Sequence, residues 1–367
     1  MPLKPLPWIA LLALGACADK DGDDSGNPDD TAATDDTGAE EGHSVAVLAT
    51  VADDYSVGAL ATVALDGRAV TDAITDLTGD AGVVVSGGHV FQTNGFGYDN
   101  VRIYAPGDWA APVAEVALDD LANPHDVEVC GGEAFITQYG LDRMVVLDPE
   151  SGALVGTVDL SAHDDGDGTP ESASIVQADN GRLYVGLQRL DRNTDWSSVG
   201  GRVVEVDCAS KTVTNSWDVD GQATVYPYAP DGSQVVVHSD AGLHLLDTAA
   251  GTLSEALLDE VSEGVAVLGF VSWGQDAVVM TLDASGHYGV GCVDLGTWAY
   301  THAETVDNYL SDIAGDDRGE AWIAARTHWS NPAADNGAIV YDIATCAALT
   351  TSGPVETLLA PYAIAFY

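Results

Sequence analysis

A short acidic segment at residues 163–171, HDDGDGTPE, holds the side chains best suited to bind a metal ion. Asp165, Asp167 and Glu171 supply carboxylates at short spacing on a glycine-rich chain, which suits Ca²⁺, a cation that takes about 6–8 oxygen ligands. The twelve-residue loop of an EF-hand is missing. Calcium is therefore a candidate cofactor. The alternatives are a solvated acidic turn and a turn paired with Arg189 and Arg192 of the next loop.

The dipeptide His125-Asp126 is the other pair that could do chemistry. An imidazole beside a carboxylate can act as a general base with its orienting group. The alternative interpretation is a structural hydrogen-bonding pair at the entry to a strand. The sequence contains no GxSxG, HExxH or glycine-rich phosphate loop, so no set of catalytic residues favours an enzyme.

These residues lie within a repeat of strands and turns that runs through most of the sequence. Six copies run strand, glycine turn, strand, loop, strand ending in an Asp turn, strand, and their second strands are 44, 49, 52, 42 and 44 residues apart. Short alternating strands at this period predict an all-β fold of propeller blades. Residues 43–75 supply three strands of a further blade, and residues 361–367 supply its missing first strand. We therefore expect seven four-stranded antiparallel blades, with the C-terminal strand completing the N-terminal blade.

The copy at residues 124–160, PHDVEVCGGEAFITQYGLDRMVVLDPESGALVGTVDL, resembles the YVTN-type β-propellers of bacterial surface and periplasmic proteins. The tetrapeptide itself is degenerate, FITQ at 135–138 and YVGL at 184–187. DGDGTPE at 165–171 followed by LQRLDRN at 187–193 is similar to predicted propeller lipoproteins of myxobacteria-like organisms. The resemblance implies architecture and no activity, since propeller lactonases and quinone dehydrogenases share the architecture.

In such a ring, the loops joining blades and the loops from second to third strand share one face. This face would gather the longest insertions, where function tends to lie. Aromatic side chains in polar loops suit a carbohydrate or protein partner, although they could simply pack their own loops. The candidate ligand-binding residues are His125, Asp126, Tyr139, Arg189, Arg192, Trp196, Arg326 and Trp329.

The N-terminus resembles a bacterial lipoprotein signal: Lys4, an apolar run from Leu6 to Leu14, then Gly15-Ala16-Cys17. This resemblance implies a signal peptide at 1–16 and lipid on Cys17. Residues 17–42 would be a disordered tether with ten acids and one base, and 43–367 the propeller. Ala18 favours the outer membrane by analogy, while Asp19 weakens that assignment. The alternative is an ordinary secretory peptide cut near Ala16 or Ala18.

The net charge limits the classes of partner that the chain can bind. The chain has 58 acids against 12 bases, a formal charge of −46. This balance argues against nucleic acid, whose binding depends on Lys and Arg neutralising phosphates, and against charge-driven binding to an anionic bilayer.

Four cysteines remain after Cys17, and in an exported chain we expect disulfides. Cys130 and Cys208 fall in turns on the same side of neighbouring predicted blades. Their positions favour Cys130–Cys208 and leave Cys292–Cys346, although free cysteines remain the alternative.

Three functions follow from these features. The favoured one is a cell-envelope lipoprotein, on the periplasmic side or the cell surface, whose propeller face binds an envelope protein, a glycan or a small ligand. The alternatives are an exported hydrolase or oxidoreductase using the same face, and an inert structural protein.

Overall fold

The computed structural model describes residues 42–327 and 334–367. Cys17, the predicted signal peptide, the predicted tether and Trp329 lie outside them. The described part is built from antiparallel strands, with one short helix, α1 (Glu260–Glu263), and a 3-10 turn at Ser161–His163. In chain order the strands are β1 (Val45–Val51), β2 (Gly58–Ala64), β3 (Val70–Leu77), β4 (Ala81–Ser86), β5 (His89–Asn94), β6 (Asn100–Tyr104), β7 (Ala114–Ala117), β8 (Pro124–Cys130), β9 (Glu133–Gln138), β10 (Arg143–Leu147), β11 (Leu154–Asp159), β12 (Ser172–Gln177), β13 (Leu183–Leu187), β14 (Arg202–Asp207), β15 (Thr212–Asp218), β16 (Thr224–Pro227), β17 (Gln234–Ser239), β18 (Gly242–Asp247), β19 (Thr252–Leu253), β20 (Leu258–Asp259), β21 (Val265–Trp273), β22 (Asp276–Asp283), β23 (Tyr288–Asp294), β24 (Ala299–Val306), β25 (Tyr309–Gly315), β26 (Glu320–Arg326), β27 (Gly337–Asp342), β28 (Ala347–Ala348) and β29 (Ala360–Phe366).

These strands form seven antiparallel sheets, the blades of a β-propeller, which confirms the predicted fold class. Blade 1 is ordered β29-β1-β2-β3. Blades 2, 3 and 4 are β4–β7, β8–β11 and β12–β15, and blades 6 and 7 are β21–β24 and β25–β28. Blade 5 comprises β16–β19, with β20 also paired to β18.

The ring is closed by a ladder between the two ends of the described chain. Strand β29 pairs antiparallel with β1, with Leu48 opposite Ile364, and the N–H groups of Ser44 and Val45 donate to the carbonyl of Tyr367. The prediction that the C-terminal strand completes blade 1 is confirmed. Closure leaves neither terminal strand as an exposed edge.

The core lies between blades, where each sheet packs its apolar side chains against its neighbours. The second strands of four blades place a large aromatic ring at the same position, and each ring is fully buried: Phe91, Phe135, Tyr184 and Trp322. At the closing interface the Trp322 and Phe366 rings meet edge to face with centroids 5.9 Å apart. Burying a side chain of this size contributes roughly 1.5–3 kcal/mol.

In five of the seven blades an Asp at the end of the third strand begins a turn. The Oδ1 atoms of Asp148, Asp207, Asp247, Asp294 and Asp342 accept backbone N–H groups two or three residues ahead. Asp favours such turns because its carboxylate satisfies a local donor. The sequence repeat therefore has a local hydrogen-bonding cause.

Both predicted disulfides are formed: Cys130–Cys208 joins blades 3 and 4, and Cys292–Cys346 joins blades 6 and 7. Such bonds are typical of proteins that fold outside the cytoplasm.

The two faces of the ring differ in what they carry. Loops between blades contact loops from second to third strands, as when Gly95 N–H donates to Asp80 and Tyr139 N–H to Asn123. We call this side the loop face and the opposite side the turn face. The described chain begins on the turn face, where the His43 N–H donates to Asp317 Oδ2 at 2.7 Å.

The inner strands are joined around the central channel by side-chain acceptors. Asp126 Oδ2 in blade 3 accepts the Ile175 N–H of blade 4 at 2.9 Å, and Asp312 Oδ2 in blade 7 accepts the Ile364 N–H of blade 1 at 2.8 Å. Both carboxyls are buried. Burial raises the pKa of Asp126 to about 8, against the opposing effect of the N–H donors of Ile175 and Val127. Burial likewise raises the pKa of Asp312.

We expect this raised pKa to make stability depend on pH. Between pH values of about 4 and about 8 the folded state binds the Asp126 proton more tightly than the unfolded state does, so the free energy of unfolding falls as pH rises. Asp126→Asn cannot titrate, and its unfolding free energy should fall less steeply over the same range. Urea denaturation at a series of pH values measures both slopes. Equal slopes in the two proteins would contradict the assignment.

Candidate functional site

Exposed apolar side chains are concentrated on the loop face. Of the fifteen large apolar residues exposed in the described part of the chain, nine lie in loops of this face: Tyr55, Val57, Phe96, Tyr98, Leu121, Trp196, Val199, Val261 and Leu358. The rest lie on outer strands or at the turn face. Single exposed apolar residues are normal on a protein surface, but more than half of those on the described residues share this one face.

Four planar side chains form a column at the channel mouth between blades 3 and 4. The rings of His125 and Tyr139 stack with centroids 4.4 Å apart and planes 12° from parallel. The guanidinium of Arg192 lies 5.7 Å from the Tyr139 centroid and 5.3 Å from that of Trp196. Trp196 is 49% exposed and ends the column in solvent. Cation–π contacts of this kind contribute roughly 0.5–2 kcal/mol each.

Glu171 fixes the position of the column through its contact with Arg192. Its side chain is fully buried, and its carboxylate pairs with Arg192 Nε at 2.6 Å. It also accepts the Leu190 N–H at 2.9 Å and the Thr169 hydroxyl at 2.8 Å. Burial raises the pKa of Glu171 to about 7, although these donors and Arg192 act in the opposite direction. We call the Glu171–Arg192 pair the clasp, since it joins the two long loops of blade 4.

The other two predicted calcium ligands lie in the same loop. Asp167 accepts the Arg192 N–H at 2.9 Å and the Thr169 N–H at 2.9 Å. Asp165 accepts the Asp167 N–H at 3.3 Å, and burial raises its pKa. No group of three or more His, Cys, Asp or Glu side chains within residues 42–327 and 334–367 is arranged to hold a metal ion. The arrangement is the arginine-paired turn that the sequence offered as an alternative, and calcium stays a prediction.

His125 and Asp126 are adjacent in sequence, but the Asp126 carboxyl does not orient the His125 imidazole. Both Asp126 oxygens accept backbone N–H groups, from Val127 and Ile175. The buried Nδ1 of His125 has no hydrogen-bond partner among the described residues. Burial and the nearby Arg192 charge lower the pKa of His125 to about 4, so the imidazole is neutral at neutral pH. The pairing of β8 with β9 shifts register between Pro124 and Val127, the interval that contains both residues.

The other two arginines predicted for the binding face, Arg326 and Arg189, donate hydrogen bonds to backbone carbonyls. Arg326 is buried, and it donates to the carbonyls of Val51, Ala52 and Ala360 at the point where the ring closes. Arg189 donates to the carbonyls of Gly200 and Asp164.

Sequence reasoning missed a group of tyrosines around Arg326. Its guanidinium lies 5.2 Å from the ring centroid of Tyr55 and 5.4 Å from that of Tyr362, and Tyr288 and Tyr309 meet edge to face nearby at 5.3 Å. These four residues come from three blades. The only signal in the sequence was their position at strand ends that face the loop side.

No protein-family model matches the chain, and no match was found among the curated proteins. Solved structures do share its fold. A Bacteroides fragilis protein with a proposed 6-phosphogluconolactonase assignment is 12% identical with a TM-score of 0.63, covering 90% of this chain and 100% of that one. Kuenenia stuttgartiensis hydrazine synthase is 15% identical with a TM-score of 0.55, covering 81% and 95%.

The Cps50 (Swd1) β-propeller domain of Myceliophteria thermophila is 13% identical with a TM-score of 0.53, covering 77% of this chain and 93% of that one. A hydrazine synthase, a protein assigned as a lactonase and a Cps50 β-propeller domain therefore share one architecture. At these identities the similarity establishes the propeller fold and transfers no activity. In the described ranges, no helix has the length and apolarity needed to cross a membrane.

We expect the clasp to contribute more to stability than a surface ion pair does. Arg192→Met removes a buried partner of Glu171, whose carboxyl can then take up a proton, and we expect a loss of about 1–3 kcal/mol. Arg202→Met is the matched control, because its partner Asp218 is 70% exposed and an exposed pair contributes about 0–1 kcal/mol. Urea denaturation at pH 7.5 compares the two. Equal losses would show that the clasp contributes nothing beyond a surface pair.

For calcium, we expect the melting temperature to be the same in millimolar Ca²⁺ and in chelator, because the Glu171 and Asp167 carboxylates already bind Arg192 and backbone donors. Differential scanning calorimetry of the wild type and of Asp165→Asn tests this. A calcium-dependent rise that disappears in Asp165→Asn would contradict the expectation and support the calcium site.

Proposed function

We propose that this chain is a lipid-anchored protein of the cell envelope that binds a partner through the loop face of its propeller. The concentration of exposed apolar residues on that face carries the proposal. The rigid closed ring supports it, because binding residues are commonly held in loops on a stiff scaffold. The two disulfides support a location outside the cytoplasm.

The position of the first described residues supports an outward-facing binding surface. His43 and Ser44 lie on the turn face, beside Asp317 and Tyr367. A lipid on Cys17 would therefore pull on the face opposite the loops. If the 25 residues of the acidic segment between Cys17 and His43 form the predicted tether, its root-mean-square span as a flexible chain would be roughly 25–30 Å. Attached in this way, the loop face would point away from the membrane.

The alternative function is an exported enzyme, and His125 is the residue that favours it. Its imidazole lies at the channel mouth, where a substrate could reach it, but a pKa of about 4 makes it a weak base at neutral pH. Asp126 cannot orient it, because both carboxylate oxygens accept backbone N–H groups. The enzyme proposal requires a turnover that is lost in His125→Ala.

Two tryptophans on opposite faces provide a direct test of loop-face binding. Trp196 is 49% exposed on the loop face, and Trp273 is 42% exposed at the turn face. We expect a photo-crosslinking amino acid at position 196 to capture a discrete envelope partner in intact cells, whereas the same group at position 273 captures none. Immunoblotting of the adducts measures both.

The Cys17→Ser variant tests whether the protein is anchored through a lipid on Cys17. If Cys17 carries lipid, the substitution moves the protein from the membrane fraction to the soluble envelope fraction, and the mature wild type carries the mass of the acyl chains. Equal capture from positions 196 and 273, or none from either, would contradict loop-face binding. An unchanged membrane fraction in Cys17→Ser would contradict the anchor.

A further inference from the structure

We infer that one part of the loop face, across blades 1 to 3, is a docking site for a cationic polypeptide that also carries apolar side chains. The inference rests on the proposed function and names the partner class. The site is formed by Tyr55, Phe96, Tyr98 and Leu121, which are 44%, 81%, 49% and 73% exposed. We call these four residues the apolar strip.

The four residues of the strip lie on consecutive loops, and each of these loops contacts the next. The Tyr55 carbonyl lies so close to Gly79 that a Cβ there would collide with it. Asp80, next in sequence, accepts the Gly95 N–H at 2.9 Å, directly before Phe96. Asp99 then accepts the Leu121 N–H at 3.0 Å. Loops from blades 1, 2 and 3 are thus linked in order, which places the four exposed side chains on consecutive loops of one face.

Two residues of the strip are held in a conformation that bulky side chains avoid. Tyr55 has φ 58° and Leu121 has φ 69°, in the left-handed region where Gly or Asn is favoured. Leu121 is 73% exposed, so its side chain contributes little to stability, whereas Tyr55 also packs on Arg326 and Tyr362. Strained positions of this kind cluster at binding sites, where function requires the side chain.

The charge around the strip selects a positive partner. Exposed Asp53 and Asp54 precede Tyr55, and exposed Asp119 and Asp120 precede Leu121. Only Asp119 has a cation, Arg143; the other three form no ion pair in the described part of the chain. A cationic partner would gain attraction from these carboxylates in addition to apolar burial.

No cation of the protein is free to compete for these acids. Residues 43–367 contain ten Lys and Arg side chains. Nine form ion pairs with carboxylates, and the tenth, Arg326, is buried against three carbonyls. A second copy of the chain, nucleic acid and an anionic lipid surface would all be repelled. The acidic tether is repelled as well.

Defined peptides test the inference with the full-length chain in detergent. Three peptides of equal length are titrated by fluorescence anisotropy: one rich in Lys and Leu, one rich in Lys and Ser, and one rich in Glu and Leu. We expect the Lys/Leu peptide to bind at least tenfold more tightly than the other two, and to weaken as salt rises. A neutral oligosaccharide is titrated in parallel.

Variants then locate the binding. Leu121→Asn removes an exposed apolar side chain and suits the left-handed backbone, so we expect the melting temperature to stay equal or rise while peptide affinity falls about tenfold. Asp120→Asn should weaken binding and reduce its salt dependence. Val261→Ser is the matched control, because Val261 is 83% exposed on the same face but outside the strip, and its affinity should equal the wild type.

Equal binding of the Lys/Leu and Lys/Ser peptides, unchanged affinity in Leu121→Asn, or tighter binding of the oligosaccharide would overturn the inference. Capture of a partner from position 196 with no peptide binding at the strip would leave the proposed function standing and reject only this site. Failure of both experiments would reject the proposed function itself.

Discussion

The inner edges of the seven blades impose the constraint on which the rest of the molecule depends. Seven strands present backbone N–H groups toward one narrow channel, and a buried donor without an acceptor costs about 1–3 kcal/mol. The chain meets this demand with side chains that reach from one blade to the next. Asp126, Ser174 and Asp312 each accept an N–H group of the following inner strand. Ser86 does the same for Val129, and Glu260 of the connecting helix α1 accepts the Val267 N–H.

This network explains why a sequence with a loose repeat still closes into a ring. The acceptors differ from blade to blade, being a hydroxyl in one and a carboxyl in another, so no single motif marks them. Arg326 completes the closure by binding three carbonyls where β1 and β29 meet. Because the scaffold is closed by backbone ladders and buried polar contacts, its loops are free to hold exposed Tyr, Trp and Leu side chains in strained conformations at little risk to the fold.

The distribution of charge links the scaffold to its surroundings. Nearly all of the few cations are used within the chain, several to hold long loops, as Arg192 does with Glu171. The surface that remains is acidic and uncompensated, which keeps the protein soluble and repels polyanions. Apolar residues on the loop face stand out against this background. A partner for that face gains most when it brings positive charge together with apolar surface.

Local patterns determined the blade period, the Asp turns, the closing strand and the disulfide pairs, because each depends on neighbouring residues or on the register of one repeat. The same patterns placed His125, Tyr139, Arg192 and Trp196 on one face. Only the tertiary structure decided their roles. Asp126 accepts the Ile175 N–H and does not orient His125, and Glu171 pairs with Arg192. Tyr55 and Tyr362 lie against Arg326, with Tyr288 and Tyr309 nearby. These contacts join residues far apart in the chain, and their partners are selected by burial and blade packing, which no local spacing encodes.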